Sequence, residues 1–273
     1  MGELTKRVLF AIPAAVLALW ITSSGGIYFY AALILLALSI QFEMQGIVEK
    51  AGFKPARFFS YIIACWILLS PVLPYAFEIG IALFLVFISI QVLNTRETHI
   101  QELVATFFCA GYASFGLLFL WLIRNAGPDQ TGFLLTITLF LMIWGNDVFA
   151  YFGGKYFGRH RLAPDISPSK TWEGLFFGFL GSVIGLVIVF LIVPLQMPVE
   201  WPIMLPAALI VSIFSPLGDL AESKLKRAAE VKDASSLLPG HGGFMDRFDG
   251  MILAAPAFFL YIHCLQLAGY VSF

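Results

Sequence analysis

The sequence has too few charged residues for a water-soluble protein of its size. Only 12% of its 273 residues are Asp, Glu, Lys or Arg, which is about half of the roughly 25% found in soluble domains. By contrast, 60% are hydrophobic, and phenylalanine alone occurs 28 times. A surface that faces water cannot be built from this composition, so an ordinary soluble globular domain is excluded.

Cysteine and excess charge of either sign are also scarce. The three cysteines, Cys65, Cys109 and Cys264, lie within apolar runs at spacings that do not fit a metal site, and we expect small packed side chains there. The formal net charge is −1, and there is no basic stripe of the kind that binds a phosphate backbone. We therefore expect no nucleic-acid partner.

Long apolar runs take the place of charge. A helix of about 20 residues crosses the roughly 30 Å hydrocarbon core of a bilayer, and runs of this kind recur along the chain. The first run has flanking residues like those of a signal peptide, but the second follows so closely that we expect it to be retained. We predict an all-α polytopic membrane protein with about nine transmembrane helices, near residues 8–24, 27–46, 58–75, 77–94, 103–123, 132–152, 173–194, 202–217 and 251–271.

The Lys and Arg residues predict how these helices are oriented. If the N-terminus is cytoplasmic, every one of the 16 basic residues except Arg124 falls on the cytoplasmic side. Short cytoplasmic segments of membrane proteins carry such an excess. The sequence therefore predicts a cytoplasmic N-terminus and a bacterial-type inner membrane.

The polar residues are divided unevenly between two parts of the chain. Short connections join spans 1 to 5, so residues 1–124 are predicted to be an N-terminal transmembrane scaffold. Residues 125–273, with spans 6 to 9, contain two long polar connections at 153–172 and 218–250 and are predicted to be the catalytic region, with a site that faces the cytoplasm. Glu43, near the end of span 2, either reaches the interface or belongs to the site.

The connection at 218–250 contains the acids that best indicate chemistry. Asp219 directly follows an apolar span, where an unpaired carboxylate is costly. Asp246 and Asp249 are three residues apart and share one face if the chain is helical there. Because Mg²⁺ is held by one or two carboxylates together with substrate phosphates, these three acids predict a magnesium site.

Bases and glycines in the same connection predict phosphate binding. Basic side chains neutralise phosphates, and a glycine-rich turn can aim successive backbone N–H groups at an anion. Acids, bases and such a turn together indicate phosphoryl or nucleotidyl transfer rather than acyl or hydride chemistry. The candidates are the bases Lys224, Lys226, Arg227 and Lys232 and the turn residues His241, Gly242 and Gly243.

The connection at 153–172 and the helix before it add weaker signals. Asp147 lies about one turn from the end of span 6, where a carboxylate indicates a polar cavity. At the start of span 7, Ser169 or Thr171 can cap the helix while Lys170 reaches a phosphate. The two connections are therefore expected to contribute to one site.

The order of these residues is similar to that of a known family. From Ser223 the chain runs Ser-Lys-Leu-Lys-Arg, and after four further residues it runs Lys-Asp-Ala-Ser-Ser-Leu-Leu-Pro-Gly-His-Gly-Gly-Phe-Met-Asp-Arg-Phe-Asp from Lys232 to Asp249. This stretch resembles the signature of phosphatidate cytidylyltransferases, also called CDP-diacylglycerol synthases. Polar blocks around Asp147 and Ser167 resemble the same family.

The resemblance implies transfer of the cytidylyl group of CTP to phosphatidate, which gives CDP-diacylglycerol and pyrophosphate in phospholipid biosynthesis. It implies Mg²⁺ with a second cation beside it, for which K⁺ is the candidate, and it leaves a homodimer open. We expect CTP to arrive from the cytoplasm and the lipid to arrive through a lateral cleft between spans 6 to 9. The expected roles are metal binding by Asp219, Asp246 and Asp249, phosphate binding by Lys170, Lys226 and Arg227, and further substrate binding by Asp147, Ser167, Ser223, Lys224, Lys232, His241, Gly242 and Gly243.

Two other functions stay open on composition alone. A CTP-dependent polyprenol kinase would also combine many spans with cytoplasmic acids and bases, although the stretch from Ser223 to Asp249 argues against it. An ion-coupled secondary transporter would use Glu43, Asp147 and Asp219 as coupling sites. Incorporation of label from CTP into phosphatidate separates these functions.

Overall fold

The architecture is that of a multi-pass helical membrane protein. The computed structural model describes residues 3–93, 100–193, 199–238 and 242–271, with side chains from residue 13 onward. His241, one of the predicted turn residues, lies outside the described residues. The described helices are α1 (Glu3–Ser24), α2 (Gly26–Lys50), α3 (Arg57–Leu69), α4 (Ala76–Leu93), α5 (Ile100–Arg124), α6 (Asp129–Phe157), α7 (Trp172–Ile192), α8 (Trp201–Ala228) and α9 (Met245–Leu267), and the two strands are β1 (Arg161–Ala163) and β2 (Ser167–Thr171).

The helix lengths test the predicted spans. Seven of the described helices, α2 and α4 to α9, are long and apolar enough to cross a membrane, which confirms a nearly all-α, multi-pass fold. Helix α3 has 13 residues, and at 1.5 Å per residue it is only about 20 Å long, less than the hydrocarbon thickness. A total of nine spans and a cytoplasmic N-terminus therefore stay predictions.

The polar connection before α9 is shorter than predicted because α8 does not end with its apolar stretch. It continues to Ala228 and carries Asp219 and Glu222 on its last turns, while α9 already begins at Met245. The sequence after Asp219 is rich in Leu, Ala, Lys, Glu and Arg, which favour helix whether or not they are apolar. The acids that were predicted in a loop are therefore held by two helix ends.

The connection after α6 folds as a β-hairpin, which the sequence analysis did not predict. Strands β1 and β2 pair antiparallel, with Arg161 opposite Thr171 and Ala163 opposite Ser167. The hydroxyl of Thr171 accepts a hydrogen bond of 3.0 Å from the backbone N–H of Gly174, so the predicted cap of this helix is confirmed at Thr171. The hairpin thus leads directly into α7.

Glycines bring α6 and α7 into backbone contact. A Cβ atom at Gly181 would lie 2.2 Å from the carbonyl oxygen of Gly145, and a Cβ atom at Gly145 would lie 2.3 Å from the oxygen of Gly181. One helical turn further, a Cβ atom at Gly185 would lie 2.3 Å from the oxygen of Leu141. Small residues allow such close approach between membrane helices, and this approach fixes the wall that carries Asp147.

Helices α8 and α9 meet in the same way beside the acids. A Cβ atom at Gly218 would lie 2.3 Å from the carbonyl oxygen of Asp249, and one at Gly250 would lie 2.5 Å from the hydroxyl oxygen of Ser215. Each glycine is the chain neighbour of a predicted metal ligand. The close backbone contact therefore places Asp219 and Asp249 side by side.

Candidate active site

A polar cleft of about 590 Å³ lies between α6, the hairpin, α7 and α8. Its wall combines basic side chains of the predicted connection at 153–172 with Asp219 of the predicted connection at 218–250, so the two connections share one space. Apolar and glycine residues, including Leu175 and Gly154, complete the wall. The charged residues that line it are Asp147, Lys155, Arg161, Lys170 and Asp219.

Asp219, which lines the cleft, is one of three carboxylates that converge where α8 meets α9. One oxygen each of Asp219, Glu222 and Asp249 lies within 4.8 Å of the other two. Glu222 is buried, and Asp249 is partly buried, so solvent screens their charges only weakly. Carboxylates at this separation repel one another unless a cation or a proton lies between them.

The contacts of these acids do not satisfy all of their carboxylate oxygens with hydrogen bonds. Asp219 contacts Lys170, with 2.7 Å between Oδ2 and Nζ, and accepts a hydrogen bond of 3.3 Å from Ser223. Oε1 of Glu222 is buried and lies 3.2 Å from Nζ of Lys226, yet it has no hydrogen bond of good geometry within the described residues. A buried oxygen without a hydrogen bond has room for a further ligand, such as a water or a metal ion.

Asp246 lies apart from this cluster and contacts the preceding loop. Its Oδ1 is 2.7 Å from Nζ of Lys226, and its Oδ2 accepts hydrogen bonds of 3.0 Å from the N–H of Ala234 and 2.7 Å from the N–H of Gly243. These contacts use both oxygens. The structure thus places Glu222, rather than Asp246, beside Asp219 and Asp249, and metal binding by Asp246 stays a prediction.

The glycine turn is directed toward carboxylates of the protein itself. Gly242 adopts a positive φ of 77°, and a Cβ atom there would lie 2.7 Å from Oδ2 of Asp246. The N–H of Gly243 binds that same oxygen. In this conformation the turn is therefore packed against Asp246, and its predicted contact with a triphosphate stays a prediction.

The remaining predicted bases lie at different distances from the cleft. Lys226 is held between Glu222 and Asp246. Arg227 is exposed and donates a hydrogen bond of 3.4 Å to the carbonyl oxygen of Ile166 at the hairpin. Lys224 and Lys232 are exposed, and Ser167 is the first residue of β2.

Some residues of the site were not among the predicted ones. Glu222 follows Asp219 by three residues and shares its helical face, so continuing the helix past Leu217 would have identified it. Lys155 and Arg161 contributed to the sequence analysis only through the charge asymmetry, because no local pattern shows that the last turn of α6 and strand β1 line a cleft. Only the tertiary structure shows that these two bases line the cleft.

Known proteins of one family are similar to this chain along nearly its whole length. Residues 5–265 match the group described as the cytidylyltransferase family. A protein of Brucella abortus named phosphatidate cytidylyltransferase is 33% identical over 265 residues, which is 96% of this chain and 94% of the relative. Proteins of the same name from Synechocystis sp., 35% identical over 94% of this chain and 96% of the relative, and from Bacillus subtilis, 33% identical over 96% of this chain and 97% of the relative, are also similar.

Proposed function

Because this chain belongs to the cytidylyltransferase family, we propose that the cleft between α6, the hairpin, α7 and α8 is where CTP and phosphatidate react. The chain transfers the cytidylyl group of CTP to phosphatidate and forms CDP-diacylglycerol and pyrophosphate. The observation that carries the location is the cluster of Asp219, Glu222 and Asp249 beside Lys170. In the described part of the chain, Asp219 joins this cluster to the cleft, because it lines the cleft together with Lys170.

The reaction needs alignment and charge neutralisation more than acid–base catalysis. A phosphate oxygen of phosphatidate forms a bond to the α-phosphorus of CTP, while the bond from that phosphorus to the β-phosphate oxygen breaks and pyrophosphate leaves. The attacking phosphate is already ionised near neutral pH, since the second pKa of a phosphomonoester is about 6. Both reactants are anions, so residues that hold them together lower the barrier most.

The carboxylate cluster fits a magnesium ion. Oxygens bound to one Mg²⁺ at roughly 2.1 Å lie within about 4.2 Å of each other, and the three described oxygens already lie within 4.8 Å. Asp219, Glu222 and Asp249 would hold the ion, with phosphate oxygens of the substrates as further ligands. Bound there, Mg²⁺ would neutralise the charge that develops on the transferred phosphoryl group. A second cation such as K⁺ is part of the proposal, since two anionic substrates meet three acids.

The basic residues of the cleft would hold the phosphates that the metal does not. Lys170 is partly buried and fixed between Asp219 and the carbonyl oxygen of Pro216, at 2.7 and 3.1 Å. Lys155 and Arg161 line the same cleft. Lys226 and Arg227 stay in the proposal as residues that steer phosphate toward the cleft from α8, where Lys226 also neutralises Glu222.

Helix α6 supports a lateral approach of the lipid. It exposes Trp144, Val148 and Tyr151 around Asp147, which lines the cleft. An apolar helix face next to a polar cavity allows acyl chains to stay in hydrocarbon while the phosphate enters the site. We place this site at the cytoplasmic side of the membrane, where CTP is supplied, in line with the distribution of the basic residues.

The position of the label in CTP provides the decisive test. The purified chain in detergent micelles receives phosphatidate, Mg²⁺ and CTP labelled at the α-phosphate or, in a parallel reaction, at the γ-phosphate. Cytidylyl transfer moves only the α-label into the lipid, whereas a CTP-dependent kinase moves the γ-label to its lipid acceptor. We expect Asp249→Asn to lower incorporation about 1,000-fold, as loss of several kcal/mol of metal stabilisation would.

A matched control tests whether an Asp→Asn substitution lowers activity at any position. Asp165→Asn makes the same chemical change at an exposed acid between β1 and β2, and its incorporation is expected to equal that of the wild type. Absence of α-label in the lipid with wild-type protein, or full activity of Asp249→Asn, would contradict the proposed function.

A further inference from the structure

Glu43 of α2 contacts the catalytic half from the N-terminal half. It is only 2% exposed, although it is a carboxyl group within a predicted membrane span. Its partners come from residues about 200 positions later in the chain. A buried carboxyl group is costly unless it is fully hydrogen-bonded, so these partners explain why it is tolerated there.

Both oxygens of Glu43 accept hydrogen bonds from the start of α9. Oε1 accepts bonds of 2.9 Å from the N–H of Phe244 and 2.6 Å from the hydroxyl of Ser235. Oε2 accepts a bond of 2.7 Å from the N–H of Met245. Gly243 leaves room for this arrangement, because a Cβ atom there would lie 2.5 Å from Oε1. Glu43 therefore binds both the loop before α9 and the first turn of the helix.

Helix α9 depends on this distant residue for its capping. Its own N-cap residue is Phe244, whose side chain offers no capping oxygen. The first N–H groups of a helix have no partner within the helix, and a carboxylate placed there also interacts favourably with the helix dipole. Glu43 therefore fixes the residue at which α9 begins and the rotation of its first turns.

We infer that Glu43 is a positioning residue for the reaction, which holds the start of α9 so that Asp249 meets Asp219 and Glu222. Asp249 lies four residues after Met245, about one helical turn beyond the capped N–H groups. If the first turn loosens, the backbone contact of Asp249 with Gly218 is lost as well. This inference rests on the proposed metal site, whereas the hydrogen bonds of Glu43 are observed independently of it.

The substitution Glu43→Gln tests this role with two independent measurements. Glutamine keeps the size, but its NH₂ group faces an N–H donor and cannot accept from it. We expect the half-saturating Mg²⁺ concentration of cytidylyl transfer to rise about 10- to 100-fold, as for other residues that orient metal ligands. In protein without substrate or metal, amide exchange of the 242–250 segment should accelerate about tenfold or more, because a hydrogen bond to a carboxylate is lost.

Two further variants keep the result interpretable. Glu43→Asp retains a carboxylate and should fall between Glu43→Gln and the wild type in both measurements. Glu49→Gln is the matched control, since Glu49 lies on the same helix and pairs with Arg57 at the surface. It should leave the Mg²⁺ dependence and the amide exchange unchanged. If Glu43→Gln does not fold, Ser235→Ala removes one of the three bonds and should shift both measurements in the same direction by less.

Each outcome decides the inference. A uniformly lower maximal rate with unchanged Mg²⁺ dependence and unchanged exchange would show a merely structural role and overturn it. Wild-type behaviour of Glu43→Gln would overturn it too, provided that wild type is active and Asp249→Asn is impaired. Failure of the proposed function would look different, because the wild type itself would transfer no α-label while the exchange effect of Glu43→Gln would persist.

Discussion

The two halves of this protein pack their helices in different ways. In the N-terminal half, contacts are made by large side chains: the ring of Phe87 lies 5.1 Å from that of Phe59 and 5.4 Å from that of Phe107. The C-terminal half has such ring contacts too, as between Phe157 and Phe177, but there backbone also meets backbone at glycines such as Gly145 and Gly181. Side chains can change rotamer to absorb a substitution, whereas a backbone contact cannot. The C-terminal half, which contains the cleft, should therefore tolerate substitutions at its helix contacts less well.

Exposure sets α4 apart from the other described spans. Only 6% of the apolar stretch of α4 is buried, compared with 50% for α6 and also for α2 and α5. Within the described residues, α4 therefore has few neighbours, while α6 packs closely against α7 from Leu141 onward. The comparison leads to the expectation that substitutions of equal size have very unequal effects in the two halves.

Among the substitutions that test this comparison, the largest effect is expected from Gly181→Ala. Its added Cβ atom would lie 2.2 Å from the oxygen of Gly145, so α6 and α7 must separate. A displacement of about 1 Å can lower activity about 100-fold, and we expect a loss of that order in kcat/KM. The matched control is Gly46→Ala on α2, which has no described atom within 4 Å of its added Cβ. A small loss in Gly181→Ala, similar to that of the control, would break the comparison.

The next effect concerns the charge that neutralises the cluster. Lys170→Ala removes the ammonium group 2.7 Å from Asp219, and kcat/KM should fall about 10- to 100-fold, as expected for a charged hydrogen bond. Lys54→Ala, at an exposed position after α2, should behave like wild type. Steady-state assays at several CTP concentrations measure both variants. Equal kinetics of Lys170→Ala and Lys54→Ala would show that Lys170 does not bind substrate.

A smaller effect separates two acids within the catalytic half. Asp246→Asn weakens the contact with Lys226 and with the N–H groups of Ala234 and Gly243. We expect a loss of about tenfold, as for a residue that orients others, and a half-saturating Mg²⁺ concentration that changes less than in Asp249→Asn. A Mg²⁺ titration measures this. The reverse order would assign the metal to Asp246, as the sequence analysis predicted.

The smallest effect on activity is expected in the N-terminal half, at Arg124. This buried side chain donates hydrogen bonds of 2.8 Å to the carbonyl oxygen of Thr22 and 3.1 Å to that of Asp129. Arg124→Met should lower the free energy of unfolding by roughly 1–3 kcal/mol and leave the kcat of folded protein unchanged. Arg57→Met, which loses an exposed pair with Glu49, should cost less than about 1 kcal/mol. Thermal unfolding and assays on the same samples measure both, and a kcat loss in Arg124→Met would argue against the division.

The division into halves, which stays a prediction, is crossed at several places in the described structure, among them the ion pair of Arg124 with Asp129. Glu43 binds the start of α9. Helix α5 also approaches α9 closely, since a Cβ atom at Gly116 would lie 2.7 Å from the Cα of Ile252. The N-terminal helices therefore support the site directly, and the term scaffold describes them only in part.

Local sequence patterns singled out two members of the carboxylate cluster, whose role stays a prediction. An acid directly after an apolar span pointed to Asp219. The three-residue spacing pointed to Asp249 together with Asp246, but Asp246 lies apart from the cluster. Helix ends were harder, because apolar periodicity stops at Leu217 while helix propensity continues to Ala228. Glu222 was missed for this reason. The hairpin was missed because its five-residue strand Ser-Pro-Ser-Lys-Thr has no alternating apolar pattern.

The amino-acid sequence by itself determined that this chain is an integral membrane protein and what chemistry it performs, since both depend on composition and on the order of residues along one segment. Only the tertiary structure decided which carboxylates meet. That choice depends on where α8 and α9 touch, at Gly218 and Gly250, and on a glutamate of α2 that binds the start of α9. Contacts between residues about 200 positions apart leave no periodic trace in the sequence, because each partner is selected by geometry rather than by its neighbours in the chain.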